Sequence, residues 1–287
     1  MRNNEGRTQI PPELLEQFMK QQEEKIVGAS IPAPAPKPAG YQVPTDFVEL
    51  PSGGKFYPTN HPWYGKDKIE VSFMTTREED ILSSQQYAEA GVMFDKLLES
   101  ICVDRVDPRT ILLGDREAIL INARKNAYGD EYSFSANCQN CFLEYESSIF
   151  LSSLQAKELE VNSVSEQGTV SVELPVSKSV VEFKMATVGD IKQIENQKSI
   201  KEKHGLHFSP TVELHRTMIV SIDGHTDTGY ITPFVNQMLL KDSRFLRKKY
   251  EENKPELDFS FVHKCGNCGH ENKGGVPVGI SFFWSDS

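Results

Sequence analysis

The chain has 287 residues, of which 38% are hydrophobic and 9% aromatic, a composition typical of a globular protein and unlike that of a disordered one. Its 41 acidic and 31 basic side chains give a formal net charge of −10, which repels nucleic-acid backbones at long range. No apolar run approaches the roughly 20 residues that cross a bilayer, and the first residues lack the apolar core of an export signal. We therefore expect a protein that is made in a cytoplasm and has no membrane segment.

Residues 1–44 form an N-terminal segment of distinct character. The stretch IPPELLEQFMKQQEEKIV places Leu14, Leu15 and Phe18 on one face of a predicted amphipathic helix. The sequence GASIPAPAPKPAG follows, and it is typical of a stiff, extended tether. A tethered amphipathic helix docks into a groove on its own chain or on a partner, and the stiff tether favours a partner.

The next segment, SGGKFYPTNHPWYGKDK, predicts a long loop because its glycines and prolines interrupt regular structure. It carries the aromatic residues Phe56, Tyr57, Trp63 and Tyr64. Aromatic side chains on a loop are candidate partner-binding anchors. The alternative is that the loop folds back and buries them in the core of the protein itself.

Capping signals predict where several helices begin. Thr76 with Glu79 forms a predicted capping box. Asp115 is the predicted N-cap of the helix DREAILINARKNAYG, which Gly129 ends, and Asp242 is the predicted N-cap of DSRFLRKKYEEN.

Four of the five cysteines form two Cys-x-x-Cys pairs, Cys138 with Cys141 and Cys265 with Cys268. In a chain without an export signal, such pairs indicate a metal site more than disulfides. Each pair follows a strand-like segment, in DEYSFSANCQNC and LDFSFVHKCGNC. The fifth, Cys102, follows a helical segment and is predicted to be a small buried apolar residue.

The two pairs lie 127 positions apart, and their surroundings correspond. At this offset, residues 112–141 and 239–268 share a helix, a strand and a cysteine turn. Further matches upstream are Val48 with Val172, Met74 with Met185, and Thr76 with Thr187. We predict an α+β fold made of two duplicated strand-helix-strand halves, residues 45–160 and 161–287, joined by a zinc-ribbon-like site.

One cysteine pair supplies only two ligands of a tetrahedral site, so we expect Cys138, Cys141, Cys265 and Cys268 to bind one metal ion together. Structural Zn²⁺ is favoured, iron bound by the same four cysteines is less favoured, and a disulfide or free thiols remain open. Four thiolates close the coordination shell, which disfavours a catalytic metal. His263 and His270 flank the second pair, but the first pair has no histidine at the matching positions.

Known catalytic motifs are absent from the sequence, which contains no G-x-S-x-G, phosphate loop, G-x-G-x-x-G or H-E-x-x-H. We therefore do not expect an enzyme. A zinc-ribbon nucleic-acid-binding accessory factor is the alternative, since Arg244, Arg247, Lys248 and Lys249 form a basic cluster. Acidic residues follow this cluster at once, which disfavours nucleic-acid binding.

Several stretches together resemble the baseplate hub proteins of T4-like contractile-tailed bacteriophages. They are VELPSGGKFYP, FMTTREEDIL, DKLLESICVD, LLGDREAILINARKNAYG, the two cysteine pairs and the terminal VPVGISFFWSDS. The resemblance begins after the N-terminal segment. It implies a structural or assembly component of the hub, built in the host cytoplasm and carried in the virion tail baseplate. Its implied partners are other baseplate and tail proteins, with no small-molecule substrate.

Overall fold

A computed structural model of the chain describes residues 42–159, 164–275 and 280–283. The predicted N-terminal helix with Leu14, Leu15 and Phe18, and its tether, lie outside the described residues. The predicted boundary between the halves at residue 160 also lies outside them, and it stays a prediction.

The first half has a hairpin, a group of helices and a second hairpin, in that order. Its strands are β1 (Thr45–Glu49), β2 (Lys68–Ser72), β3 (Glu131–Asn137) and β4 (Glu144–Phe150). Its helices are α1 (Thr76–Ser83), α2 (Gln85–Glu89), α3 (Met93–Ile101) and α4 (Leu113–Tyr128). Short 3-10 turns at Pro108–Thr110 and Leu151–Ser153 precede α4 and follow β4.

The second half also has a hairpin, a group of helices and a second hairpin, with an additional strand, Ile219–Ile222, among its helices. Its strands are β5 (Thr169–Glu173), β6 (Val180–Lys184), β7 (Ile219–Ile222), β8 (Ser260–Lys264) and β9 (Glu271–Gly275). Its helices are α5 (Val188–Lys203), α6 (Pro210–Met218), α7 (Thr228–Gln237) and α8 (Leu240–Asn253). A 3-10 turn at Ile280–Phe283 lies near the C-terminus.

All strand pairs among the described residues are antiparallel, in small sheets ordered β1-β2, β3-β4, β5-β6-β7 and β8-β9. Together with the helices, these sheets confirm the predicted α+β class. Buried apolar side chains from β1, β2, α3, α4, β6 and β7 belong to one continuous cluster. The two halves therefore share one core.

The capping box of α1 lies one residue before its predicted position. Thr75 is the N-cap, and its N–H donates to Glu78 Oε2 at 2.8 Å, while Glu79 is exposed. The sequence TTREE offers two threonine–glutamate pairs at the same spacing. The buried Glu78 carboxylate also accepts a hydrogen bond from the Ser100 hydroxyl, which selects Thr75 over Thr76.

The hairpins β1-β2 and β5-β6 have the same register, because in each the first residue of one strand opposes the last residue of the other. These opposed residues are Thr45 with Ser72 and Thr169 with Lys184. Aligned on the hairpins, the N-cap Thr75 of α1 falls on Thr187, the N-cap of α5. The matches expected from sequence, Met74 with Met185 and Thr76 with Thr187, therefore shift by one residue.

Asp115 is not an N-cap, because α4 begins at Leu113 and Asp115 is its third residue. Its buried carboxylate accepts hydrogen bonds from the Ser52 N–H at 2.9 Å, the Ser52 hydroxyl at 2.6 Å and the Tyr57 hydroxyl at 2.8 Å. The side chain therefore ties α4 to the loop after β1. Gly129 caps the end of the helix with φ 98°, as predicted.

Asp242 differs from its prediction in the same way, because α8 begins at Leu240 and Asp242 is its third residue. Its buried carboxylate accepts hydrogen bonds from the N–H groups of Val176 at 2.8 Å and Ser177 at 3.0 Å, in the turn after β5. In each half, therefore, a buried aspartate joins the long helix to the turn after the first strand.

The aromatic loop folds back into the core, which corrects the expected exposure of three of its four side chains. Phe56, Tyr57 and Trp63 are buried, and Trp63 has no exposed surface. Gly54 allows the loop to close, because it has φ +68° and a Cβ there would meet the Lys66 nitrogen at 2.4 Å. The buried hydrogen bond of the Tyr57 hydroxyl to an α4 carboxylate fixes the folded loop. These three side chains therefore serve the core.

Arg124 of α4 holds the C-terminal turn against the body. Its side chain is buried, its Nε donates to the Phe282 carbonyl at 2.7 Å, and its guanidinium lies 4.7 Å from the Tyr132 ring centroid. Phe282 also contacts Tyr132 edge-on at 4.8 Å. The base of the β3-β4 hairpin is thereby joined to the C-terminus.

Candidate metal centre

The four paired cysteines meet where the β3-β4 and β8-β9 hairpins turn. The Sγ atoms of Cys138 and Cys268 are 3.6 Å apart, those of Cys141 and Cys265 are 3.7 Å apart, and all four lie within 4.8 Å of one another. A tetrahedron with metal–sulfur bonds of about 2.3 Å has sulfur–sulfur edges of about 3.8 Å. The sulfur positions therefore fit one tetrahedral ion that takes two ligands from each half.

The backbone of the two knuckles, defined as residues 138–143 and 265–270, has the same hydrogen bonds. These bonds are Cys138 N–H to Leu143 O and Phe142 N–H to Cys138 O, then Cys265 N–H to His270 O and Gly269 N–H to Cys265 O, all at 2.9 Å. Phe142 and Gly269 occupy the same position and both have left-handed backbones, with φ 58° and 71°. The two turns thus present their cysteines in the same way.

Polar contacts join the two knuckles directly. The Gln139 N–H donates to Asn272 Oδ1 at 2.8 Å, and Asn267 Nδ2 donates to Cys141 Sγ at 3.6 Å. Asn272 is buried. The sequence analysis did not identify Asn272, because no cysteine spacing marks a residue that supports the site from the neighbouring strand.

Aromatic contacts join the hairpins beside the cysteines. Phe134 of β3 and Phe261 of β8 meet edge-on with ring centroids 4.9 Å apart. Tyr145 of β4 stacks on His263 of β8 at 3.9 Å with an interplanar angle of 4°. His263 therefore packs against a ring outside the group of four sulfurs, as expected for a residue that is not a ligand.

Hydrogen-bond donors around the first knuckle favour thiolates, the form that binds metals. The backbone N–H of Cys141, together with the Asn140 N–H and the Asn272 side chain, outweighs burial and lowers the pKa of Cys138 to about 6. The N–H of Leu143 is the main cause of a lowered pKa at Cys141. Because the pKa of Cys138 lies below neutral pH, its side chain is mostly thiolate there.

Cys268 shows the opposite effect of crowding four sulfurs together. Its pKa is raised although the His270 N–H and the Asn140 side chain lower it, because burial and the neighbouring Cys141 and Cys138 side chains oppose a further negative charge. A cation between the sulfurs would remove this repulsion. The four cysteines could hold a metal ion in this arrangement, and four thiolate ligands would leave no open position for substrate.

The sulfur distances also exclude disulfides in this structure. A disulfide bond is about 2.05 Å long, whereas the sulfurs of Cys138 and Cys268 are 3.6 Å apart, those of Cys141 and Cys265 are 3.7 Å apart, and all five cysteines are free. Cys102 lies elsewhere and is buried, as predicted, and burial raises its pKa to about 12. Neither chemistry nor position gives Cys102 a role at the metal centre.

The family model described as T4 bacteriophage base plate protein matches residues 43–284 of the chain. The chain belongs to this family. The match covers both cysteine pairs and confirms the resemblance found in the sequence, and it gives this baseplate protein a structural role in a phage tail. Neither the curated proteins nor the solved structures compared with the chain gave a match. Within its described residues, no helix is both long and apolar enough to span a membrane.

The exposed apolar side chains of the baseplate protein differ from those expected. Of the predicted aromatic anchors only Tyr64 is at the surface, with 42% of its area exposed. Phe142 at the first knuckle is 78% exposed, and Leu239 and Leu240 at the start of α8 are also exposed. The alignment of Phe142 with a glycine in the second knuckle was the signal that could have identified it.

The basic cluster of α8 is partly neutralised. Lys249 forms a salt bridge with Glu252 at 2.6 Å, and Lys248 approaches the same carboxylate at 3.5 Å. Both side chains are thereby drawn toward an acidic neighbour on their own helix. Arg244 and Arg247 stay exposed, so the cluster keeps only part of its positive surface for a phosphate backbone.

Proposed function

We propose that this baseplate protein is a non-catalytic component of the tail hub, in which one structural Zn²⁺ ion joins two duplicated halves. The observation that carries the proposal is the group of four sulfurs, two from each half, with the spacing of a tetrahedral site. Iron in the same site is the less favoured alternative. With a closed coordination shell, the metal serves stability.

Three features support the duplication. The β1-β2 and β5-β6 hairpins share a register, a buried aspartate occupies the third position of both α4 and α8, and the knuckles share their hydrogen bonds. The three features lie in different parts of each half, namely the first hairpin, the long helix and the knuckle. A common plan for both halves is the simplest account of all three.

The proposed ion would contribute a large share of the stability. Structural zinc supplies on the order of 10 kcal/mol of folding free energy, which is comparable with the net stability of a domain. The knuckle hairpins have mostly half-exposed strands, and few buried apolar side chains support them. We expect these hairpins to separate first when the metal is removed.

The proposed partners are other tail and baseplate proteins, which the chain would meet in the host cytoplasm during assembly and accompany into the virion. Tyr64 and the predicted helix with Leu14, Leu15 and Phe18 are the candidate contacts kept from the sequence. The interpretation as a zinc-ribbon nucleic-acid-binding factor is less favoured, because the net charge is −10 and the basic cluster is partly neutralised. No small-molecule substrate is proposed.

The test is made in the phage. A phage whose gene carries Cys138→Ser should produce few complete tails by electron microscopy, because the hub component lacks its metal. The matched variant Cys102→Ser removes a cysteine outside the site and should give normal numbers of tails. Mass spectrometry of purified tails then shows whether the chain stays in the virion. Normal tail assembly with Cys138→Ser, in a protein that has lost its metal, would contradict the proposal.

A further inference from the structure

The two halves meet at a short backbone contact between an extended segment and a helix start. The Val188 N–H donates to the Ile111 carbonyl at 2.9 Å, and the Leu113 N–H approaches the Ala186 carbonyl at 3.4 Å. Leu112 and the N-cap of α5 form an antiparallel bridge between these bonds. Ile111, Ala186 and Val188 are buried, so the contact is part of the core.

Each partner in this contact has a counterpart in the other half. At the offset of 127, residues 111–113 correspond to residues 238–240, which we call the leucine segment. Aligned on the hairpins, residues 186–188 correspond to residues 74–76, which we call the cap segment. Among the described residues no backbone hydrogen bond joins the leucine segment to the cap segment. The chain therefore has two copies of each segment but forms this contact only once among its described residues.

The counterparts have the same backbone conformation as the segments that pair. Leu239 has φ −62° and ψ 140°, and Leu112 has φ −66° and ψ 146°. Thr75 and Thr187 are both extended N-caps with capping boxes. Both unpaired segments are thus already in the geometry that the contact requires.

The segments that form the contact are mostly buried, whereas their counterparts in the other half are half-buried or exposed. Leu112 is buried, whereas Leu239 is 52% and Leu240 is 71% exposed. Val188 is buried, whereas Thr76 at the same position of the cap segment is exposed. Single exposed apolar residues are usual on a protein surface, but here two exposed leucines are adjacent at the start of a helix. Such a pair indicates a surface that a binding partner covers.

The exposed charged side chains just after the leucine segment are basic, whereas those just after the cap segment are one basic residue, Arg77, and two acidic residues. Lys241 and Arg244 follow the leucine segment and are exposed, and Glu79 and Asp80 follow the cap segment and are exposed. None of the four forms a salt bridge with another described residue. Opposite charges on facing surfaces favour association and fix its orientation.

We infer that the leucine segment of one copy binds the cap segment of a second copy, which joins chains head to tail in the way that the two halves are joined within a chain. Thr76 would donate its N–H to the Met238 carbonyl, and Leu240 would donate its N–H to the Met74 carbonyl. Because the two surfaces differ, this contact is heterologous and builds a ring or a longer assembly. The inference rests on the proposed duplication.

Two variants each disable one side of the contact. Leu240→Asp places a charge on the exposed leucine segment. Thr76→Pro removes the N–H at the first position of α1, where proline fits a helix and no partner inside the helix is lost. Both changes lie at exposed positions, so each protein should fold. Val262→Asp, at a side chain 66% exposed on β8, is the matched control.

Sedimentation velocity of the full-length, metal-loaded chain over a range of concentrations measures the contact. The wild type and Val262→Asp should associate as concentration rises, and each of the other two variants should weaken association by about tenfold or more, as loss of a buried apolar anchor does. An equal mixture of Leu240→Asp and Thr76→Pro should form a dimer with one copy of each, because each supplies the surface that the other lacks.

A wild-type chain that remains monomeric, or a mixture that remains monomeric, would overturn the inference. Association that Leu240→Asp and Thr76→Pro leave unchanged would overturn it as well. The metal content of the same samples separates this outcome from failure of the proposed function. One metal ion in a monomeric chain rejects only the head-to-tail contact.

Discussion

Replacing Asp115 by asparagine tests how the fold joins α4 to the aromatic loop. The carboxylate receives three hydrogen bonds, from the Ser52 N–H, the Ser52 hydroxyl and the Tyr57 hydroxyl. The amide has the same shape, but one of its two ends is a donor. It keeps the bond from the Ser52 N–H to Oδ1 and leaves the hydroxyls of Ser52 and Tyr57, which both donate to Oδ2, without that acceptor.

The size of the loss follows from these contacts. Hydrogen bonds to a charged group contribute about 1.5 to 3 kcal/mol each, and a buried polar group without a partner costs about 1 to 3 kcal/mol. The Asp115 carboxylate is buried, and burial raises its pKa, so removing the charge also recovers part of its desolvation cost. We expect Asp115→Asn to lower the free energy of unfolding by about 2 to 4 kcal/mol.

Urea unfolding of the metal-loaded chain at neutral pH, followed by circular dichroism, measures this change. Asp242→Asn is the matched control, because the backbone N–H groups of Val176 and Ser177 donate to Asp242 and asparagine can keep one of these two bonds. Its loss should be smaller, at about 1 to 2 kcal/mol. A loss below about 1 kcal/mol for Asp115→Asn, or a loss no larger than that of Asp242→Asn, would refute the reasoning.

Three further predictions concern the backbone and a buried histidine. Gly54→Ala should lower the free energy of unfolding, measured in urea, by about 1 kcal/mol or more beyond the loss caused by Gly65→Ala. Both glycines have positive φ, but only at Gly54 would a Cβ meet backbone at 2.4 Å. Equal losses for the two variants would contradict the close approach. Burial lowers the pKa of His215 to about 4. The pKa of His215 in the folded protein lies below the unfolded value of about 6.5. The contribution of neutral His215 to the free energy of unfolding is therefore complete above about pH 6.5 and is lost as the pH falls toward about 4. At about pH 5 the loss is about 2 kcal/mol. His215→Gln should flatten that pH dependence, and an unchanged slope in urea unfolding between about pH 7.5 and about pH 5 would contradict the burial argument. Phe142→Gly should raise the free energy of unfolding by about 1 kcal/mol, because φ 58° strains an exposed phenylalanine but suits glycine; a loss of stability would show that the ring supports the knuckle.

Sequence reasoning worked best where local chemistry determines the structure. The Cys-x-x-Cys spacings identified the four sulfurs that meet, and Gly129 marked the end of α4 as predicted. Both are short-range signals, since a metal knuckle and a helix stop depend on a few neighbouring residues. The α+β class followed from the order of such local elements.

The predictions needed correction where long-range contacts determine the structure. Asp is a residue type that favours the N-cap, but Asp115 binds Ser52, 63 positions away in the chain, and is buried. Helix α4 therefore begins earlier, at Leu113. The aromatic loop has the composition of a surface loop, but Trp63 is buried because Gly54 allows the loop to close. Asn272 supports the knuckles from another strand. A local sequence pattern does not predict contacts with residues that are distant in the chain.

The most direct test of the account counts metal ions in two single variants. The wild-type chain should contain one zinc ion by mass spectrometry of metals, and Cys138→Ser and Cys265→Ser should each lose it and melt at a lower temperature, because the two halves share one site. Cys102→Ser should keep both the ion and the melting temperature. If Cys138→Ser or Cys265→Ser kept one zinc ion per chain with an unchanged melting temperature, a single ion joining both halves would be contradicted.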